Sequence, residues 1–158
     1  MNIVHNFGNA YIKGFLERYV SIIKDLPKGK YERYQIGRSE DHYGFRYSLR
    51  DDFTPFGSCD DRIAINEAQC KTFGFDDKEK DACLFHELGH ILYPEEKDSL
   101  KKELAADSLA VDYDLGTNLI SALKKMYASN VFNELENNEM MERIEHWSES
   151  FKLSPYEK

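Results

Sequence analysis

The apolar residues of this chain change period twice, which restricts it to a helix, then short strands, then more helices. From Asn9 to Leu26, Tyr11, Ile12, Phe15, Leu16, Tyr19, Val20, Ile22 and Ile23 recur every three or four residues, and Pro27 and Gly29 end the stripe. Between Lys30 and Asn66 the pattern alternates instead. Tyr31–Ile36, Tyr43–Leu49 and Arg62–Asn66 read as strands, rich in aromatic and β-branched residues and separated by turn formers. From Asp76 onward the helical period returns. Asp76 with Glu79 predicts a capping pair for a helix over Asp77–Leu92, which Tyr93-Pro94 stops. A second helix is expected from about Asp98 or Ser99, ending at Gly116. A third is expected to be capped by Thr117 and to carry Leu119, Ile120, Leu123 and Met126. A fourth is expected over Asn138–Phe151.

No repeat or low-complexity linker interrupts this order, so an α+β arrangement in a single domain over 1–158 is expected, a length typical of one domain. A hydrophobic fraction of 41% is enough for a core, and 32% charged residues describe a solvated surface. The formal charge of −8 argues against nucleic acid or anionic lipid as a partner and favours basic ligands. No apolar run approaches the roughly 20 residues of a membrane span, and Met1–Ala10 lacks the pattern of a signal peptide, so a cytoplasmic location is expected. Cys59, Cys70 and Cys83 form an odd, widely spaced set, for which reduced packing thiols are expected.

The chemistry is concentrated in His86-Glu87-Leu88-Gly89-His90, in the middle of the Asp77–Leu92 helix. Four residues advance a helix by about 400°, so both imidazoles stand on one face, one turn apart, with the spacing of a zinc-binding pair. Glu87 projects beside them, where a carboxylate can take a proton from an activated water and return it to a leaving amine. A catalytic zinc normally has three protein ligands and one open position. Glu103 on the next helix is the expected third ligand. Asp107, one turn later on the same face, is positioned to accept a hydrogen bond from the outward nitrogen of a liganding histidine. Ala105, Ala106 and Ala110 keep that helix slim enough to come close.

Together, Ile63-Ala64-Ile65-Asn66, Phe75–Glu79, His86–His90, Glu103–Asp107 and Leu119–Met126 resemble the catalytic domain of gluzincin metallopeptidases. The similarity is to the HtpX-type and CAAX prenyl endopeptidases and their small soluble relatives, the minigluzincins, and covers about Arg62 to Trp147. It implies a zincin-like fold: an N-terminal helix and small twisted sheet, then a mostly helical C-terminal half containing the active-site helix. It also implies zinc endopeptidase chemistry, with one Zn2+ held by His86, His90 and Glu103, Glu87 as base and acid, and Asp107 behind the ligands. By the same resemblance, Ile63, Ala64, Ile65 and Asn66 would form the cleft rim and bind extended substrate by strand addition. Family members carry a His-Pro pair before an Arg-Ile pair on the last helix, close to the reaction's oxyanion. Here Arg143-Ile144 is present, but Asn137 stands at the histidine position, leaving Asn137 to donate a neutral hydrogen bond and Arg143 to supply charge.

Other readings stay open at this stage. Arg143 lies among Glu139, Glu142 and Glu145, which also suits a surface charge, and His146 and Tyr113 are alternative donors. Cys83, three residues before His86, is either a thiol near the metal or a packing residue. His5 and His42 read as surface residues. Tyr31, Tyr34, Tyr43, Phe45 and Tyr47 read as a peptide groove or as core. For the whole chain, two alternatives to a general endopeptidase are a regulatory peptidase of the ImmA type, cleaving one specific protein, and a zinc-stabilised module that binds protein without cutting it.

Overall fold

In the computed structural model, which describes residues 1–5, 9–39, 54–94 and 96–156, the order is β1 (Ile3–Val4), α1 (Ala10–Ile23), β2 (Tyr34–Arg38), β3 (Phe56–Cys59), β4 (Arg62–Ile65), α2 (Glu67–Phe73), α3 (Asp77–Leu92), α4 (Ser99–Asp112), α5 (Gly116–Ser129) and α6 (Glu134–Ser150). The α+β class follows directly from this order. None of these helices is long and apolar enough to cross a membrane. The chain divides into two compact units, Met1–Gln69 and Cys70–Lys158.

In the first unit, α1 starts where the Asn9 side chain accepts the Ile12 amide at 2.9 Å, and buries Ile12, Phe15, Tyr19 and Ile23 along one face. The four strands are ordered β1-β2-β4-β3, with β1 parallel to β2, β2 parallel to β4, and β3 antiparallel to β4. Arg62–Ile65 therefore pairs along both edges, with Gln35–Arg38 on one side and Phe56–Cys59 on the other. This corrects the expectation that Ile63, Ala64, Ile65 and Asn66 bind substrate by strand addition, because an interior strand has no backbone donors or acceptors left to offer. Asn66 is committed as well: its Oδ1 accepts the Gln69 amide at 3.2 Å at the start of α2, and its own amide donates to Pro55 at 2.7 Å.

The strand expected over Tyr31–Ile36 starts three residues later and runs Tyr34–Arg38, because Tyr31 is held in a bend by donating its amide to the Tyr34 hydroxyl at 3.0 Å. Tyr34 and Ile36 then point into the core. The strand expected over Tyr43–Leu49, with Tyr43, Phe45, Tyr47 and His42, lies outside the described residues. Expected surface residue His5 is partly buried and accepts the Asn9 amide at 3.1 Å.

The second unit is helical. α3 packs on α4 and α5, α4 on α5 and α6, and α5 on α6. The boundaries of α3 coincide with expectation because both ends are written locally. Asp76 accepts the Glu79 amide at 2.7 Å, the Glu79 carboxylate accepts the Asp76 amide at 3.0 Å, and Pro94 follows the last turn. Glu79 is itself buried, and it also takes Lys125 Nζ at 2.7 Å and Ser121 Oγ at 2.9 Å from α5.

The later boundaries differ from expectation. α4 stops at Asp112, and Asp114 turns the chain in the left-handed region at φ 63°. Gly116 then begins α5 instead of ending α4. A side chain there would come within 2.4 Å of the Phe151 ring, so the glycine serves packing, and Thr117 lies inside the first turn without capping it. α6 begins one turn earlier than Asn138, where Asn133 accepts the Glu136 amide at 2.8 Å. Replacing the cap at the other key helix, Asp76→Ala, should lower stability by about 1 kcal/mol. Urea unfolding with an unchanged slope would register this as a lower midpoint.

Candidate metal centre

α3 is buried continuously from Asp81 to Gly89, so its two polar site residues, His86 and Glu87, are carried into the interior with only 8% of each exposed. The helix facing them comes unusually near. A Cβ built on Gly89 would lie 2.5 Å from the carbonyl oxygen and 2.6 Å from the Cα of Ala106. Only glycine permits this backbone contact, and no change at the Ala106 side chain relieves it. The approach brings α4 residues on either side of Ala106 against α3. His86 faces both Asp107 and Glu103, and His90 faces Glu103. One turn forward on α3 thus corresponds to one turn back on α4, as in an antiparallel pair.

Three donor atoms converge at this seam. His86 Nε2 lies 3.0 Å from His90 Nε2 and 3.1 Å from Glu103 Oε2, and His90 Nε2 lies 3.4 Å from the same oxygen. Ligands about 2.0–2.2 Å from a tetrahedral zinc are about 3.3 Å from one another, so this triangle has the dimensions of one tetrahedral face. Two imidazole nitrogens and a carboxylate oxygen are also the donor chemistry zinc favours. Glu87 is close but distinct. Its Oε1 lies 4.0 Å from His86 Nε2, although the carboxylate, His86 and His90 would together also admit an ion. The longer separation leaves Glu87 outside the triangle. His90 Nδ1 is buried and has no partner among the described residues.

Behind the triangle stands Asp107, fully buried. Oδ1 takes His86 Nδ1 at 2.6 Å and Arg143 Nη2 at 2.7 Å, and Oδ2 takes Arg143 Nε at 2.9 Å and Trp147 Nε1 at 3.0 Å. The surface reading of Arg143 is therefore overturned. α6 turns this residue inward, away from its acidic neighbours, and its Nη1 reaches to 3.7 Å from Glu103. Burial disfavours every charge in the group, but the pairing outweighs it. Burial alone would lower His86, yet the charge and hydrogen bond of Asp107, with Glu103, raise it to about 10. Burial opposes the Glu103 carboxylate, but hydrogen bonds from His86 and His90 and the charges of His86 and Arg143 hold it well below the usual range. Asp107 is likewise held low against burial by Arg143 and His86. The charges of Glu103, Asp107 and Arg143 are thus kept in a site largely closed to solvent.

The remaining candidates make other contacts. Asn137 Nδ2 donates to the Phe132 carbonyl at 3.2 Å, and its buried Oδ1 has no partner among the described residues. Tyr113 packs on Phe85 at 5.5 Å between ring centres, and His146 stands edge-on to Trp147 at 4.6 Å. Cys83 is buried, and burial, with the nearby Cys70, Glu87 and Asp107, pushes its thiol well up, while Arg143 opposes the shift. Trp147 is the residue that sequence reasoning left unassigned. Its signal was present: it is the only tryptophan, four residues after Arg143 and so on the same helix face.

No protein-family model, curated protein or solved structure matches the chain.

The seam itself is testable. Gly89→Ala should lower stability by about 1–3 kcal/mol through overpacking against the α4 backbone, and should weaken any metal binding at the triangle in parallel. Thermal unfolding and chelator competition measure the two effects.

Proposed function

We propose that this protein is a zinc-dependent endopeptidase of the gluzincin type. The observation carrying the proposal is the His86–His90–Glu103 triangle, whose edges of 3.0, 3.1 and 3.4 Å match a tetrahedral ligand face. Zinc held there would supply Lewis acidity for a peptide carbonyl and a water of strongly lowered pKa. The rest of the chemistry belongs to the chain. Asp107 accepts Nδ1–H of His86 and so keeps Nε2 directed into the triangle. Glu87, 4.0 Å from His86 Nε2 and outside the triangle, takes a proton from the attacking water and delivers it to the leaving amine.

Arg143 contributes positive charge beside Glu103 but spends Nε and Nη2 on Asp107. Its main part is therefore to secure the carboxylate behind His86. Asn137, bonded to the Phe132 carbonyl, has no role in this scheme. The acidic chain, at −8, favours peptides with basic residues.

Glu87→Gln should retain one zinc per chain by elemental analysis while peptide-library cleavage falls by at least about a hundredfold. Undiminished cleavage by pure, zinc-loaded Glu87→Gln would overturn the assignment. Glu103→Ala should lose zinc affinity by more than tenfold in chelator competition, whereas unchanged affinity would remove Glu103 from the ligand set in favour of Glu87. If only one protein target and no library peptide is cut, the enzyme is a regulatory peptidase; if zinc is held and nothing is cut, it is a binding module.

A further inference from the structure

We infer that Trp147 is a positioning residue for the metal centre, acting through Asp107; the inference rests on the zinc reading of the site. An ionised carboxylate offers about four acceptor positions. At Asp107 all four are taken: two by Arg143, one by His86 and one by Trp147. The carboxylate is fully buried, so no solvent is at hand to replace a missing donor. Arg143 alone grips both oxygens but leaves the outer lone pair of Oδ2 open, and the carboxylate can then roll about the Arg143 fork. The indole N–H closes that freedom at 3.0 Å.

The orientation of Oδ1 determines how His86 is held. His86 Nδ1 sits 2.6 Å from Oδ1, the shorter of its two contacts on the side away from the triangle; the other, Arg143 Nη2 at 3.4 Å, is itself bonded to the same oxygen. A rotation of Asp107 would pass directly to Nε2, one of the three donors of the proposed ligand face. The indole is suited to this task. It is a donor only, so it cannot compete with Asp107 for the His86 proton, and its rigid two-ring body needs little ordering. Its attachment four residues after Arg143 lets one face of α6 supply three of the four bonds to Asp107. Trp147 therefore makes the last helix part of the metal site without touching the metal.

The test is a double-mutant cycle on full-length protein, reading zinc Kd by competition with a chromophoric chelator. Trp147→Phe should raise the Kd about tenfold, and the same substitution in an Asp107→Asn background should add less than twofold, since its route to the metal is already lost. A merely structural tryptophan would give the same loss in both backgrounds, which overturns the inference. So does tight wild-type binding with an unchanged Kd in Trp147→Phe. Because this is the only tryptophan, it can also be replaced by benzothienylalanine, which keeps the ring shape and removes the N–H. The isostere should reproduce the tenfold rise even if Trp147→Phe folds poorly, and wild-type affinity with it would again overturn the inference. Wild-type protein that binds no zinc would instead remove the metal reading itself, and this inference with it.

Discussion

The site depends on one close approach, the backbone of α3 at Gly89 lying directly against the backbone of α4 at Ala106. At ordinary helix spacings of about 8–10 Å, carboxylates on α4 would meet the α3 imidazoles only through long, mobile side chains. With a glycine at the crossing, Glu103 and Asp107 reach opposite nitrogens of His86 at 3.1 and 2.6 Å. The ligand triangle and the carboxylate behind it are both consequences of that contact. Gly89, which reads in the sequence as a spacer between Leu88 and His90, is thus the residue that permits the geometry.

Bringing so many charges into a nearly dry interior is unfavourable unless each is paired. The pairing here is layered. The triangle joins two imidazoles to Glu103, Asp107 lies behind His86, and Arg143 offsets the acidic pair while donating to Asp107. In such a network, removing one partner leaves the others buried and uncompensated, so substitutions at Asp107 and Arg143 should be strongly non-additive. The same buried arrangement separates the acidic residues by position: Glu103 Oε2 lies 3.1 Å from His86 Nε2, Glu87 Oε1 lies 4.0 Å from it, and Asp107 bonds the opposite nitrogen.

What could be read from the chain beforehand divides along the range of the interactions concerned. α3 was legible to the residue because its capping box, its two histidines and its terminating Tyr93-Pro94 all act within a turn or two. The juxtaposition of His86, His90, Glu103 and Asp107 was legible because two short helix-face spacings and one turn define it. The role of Ile63–Asn66 was not, because whether a strand is interior or at an edge depends on sheet order, and β2 and β3 occupy both edges of Arg62–Ile65. Arg143 carried conflicting local signals. Its acidic neighbours suited solvent, and only the packing of α6 on α4 decides that this one position faces inward. Gly116 misled in a similar way, since a glycine reads as a helix end until the Phe151 ring against it is known.

Whether one zinc ion is held by two imidazoles and a carboxylate is decided by X-ray absorption at the zinc edge of the loaded protein. The expected spectrum shows a four-coordinate centre with nitrogen and oxygen neighbours at about 2.0–2.2 Å, outer-shell scattering from two imidazoles, and no sulfur. A zinc–sulfur distance of about 2.3 Å, or an oxygen-only shell without imidazole scattering, would contradict it.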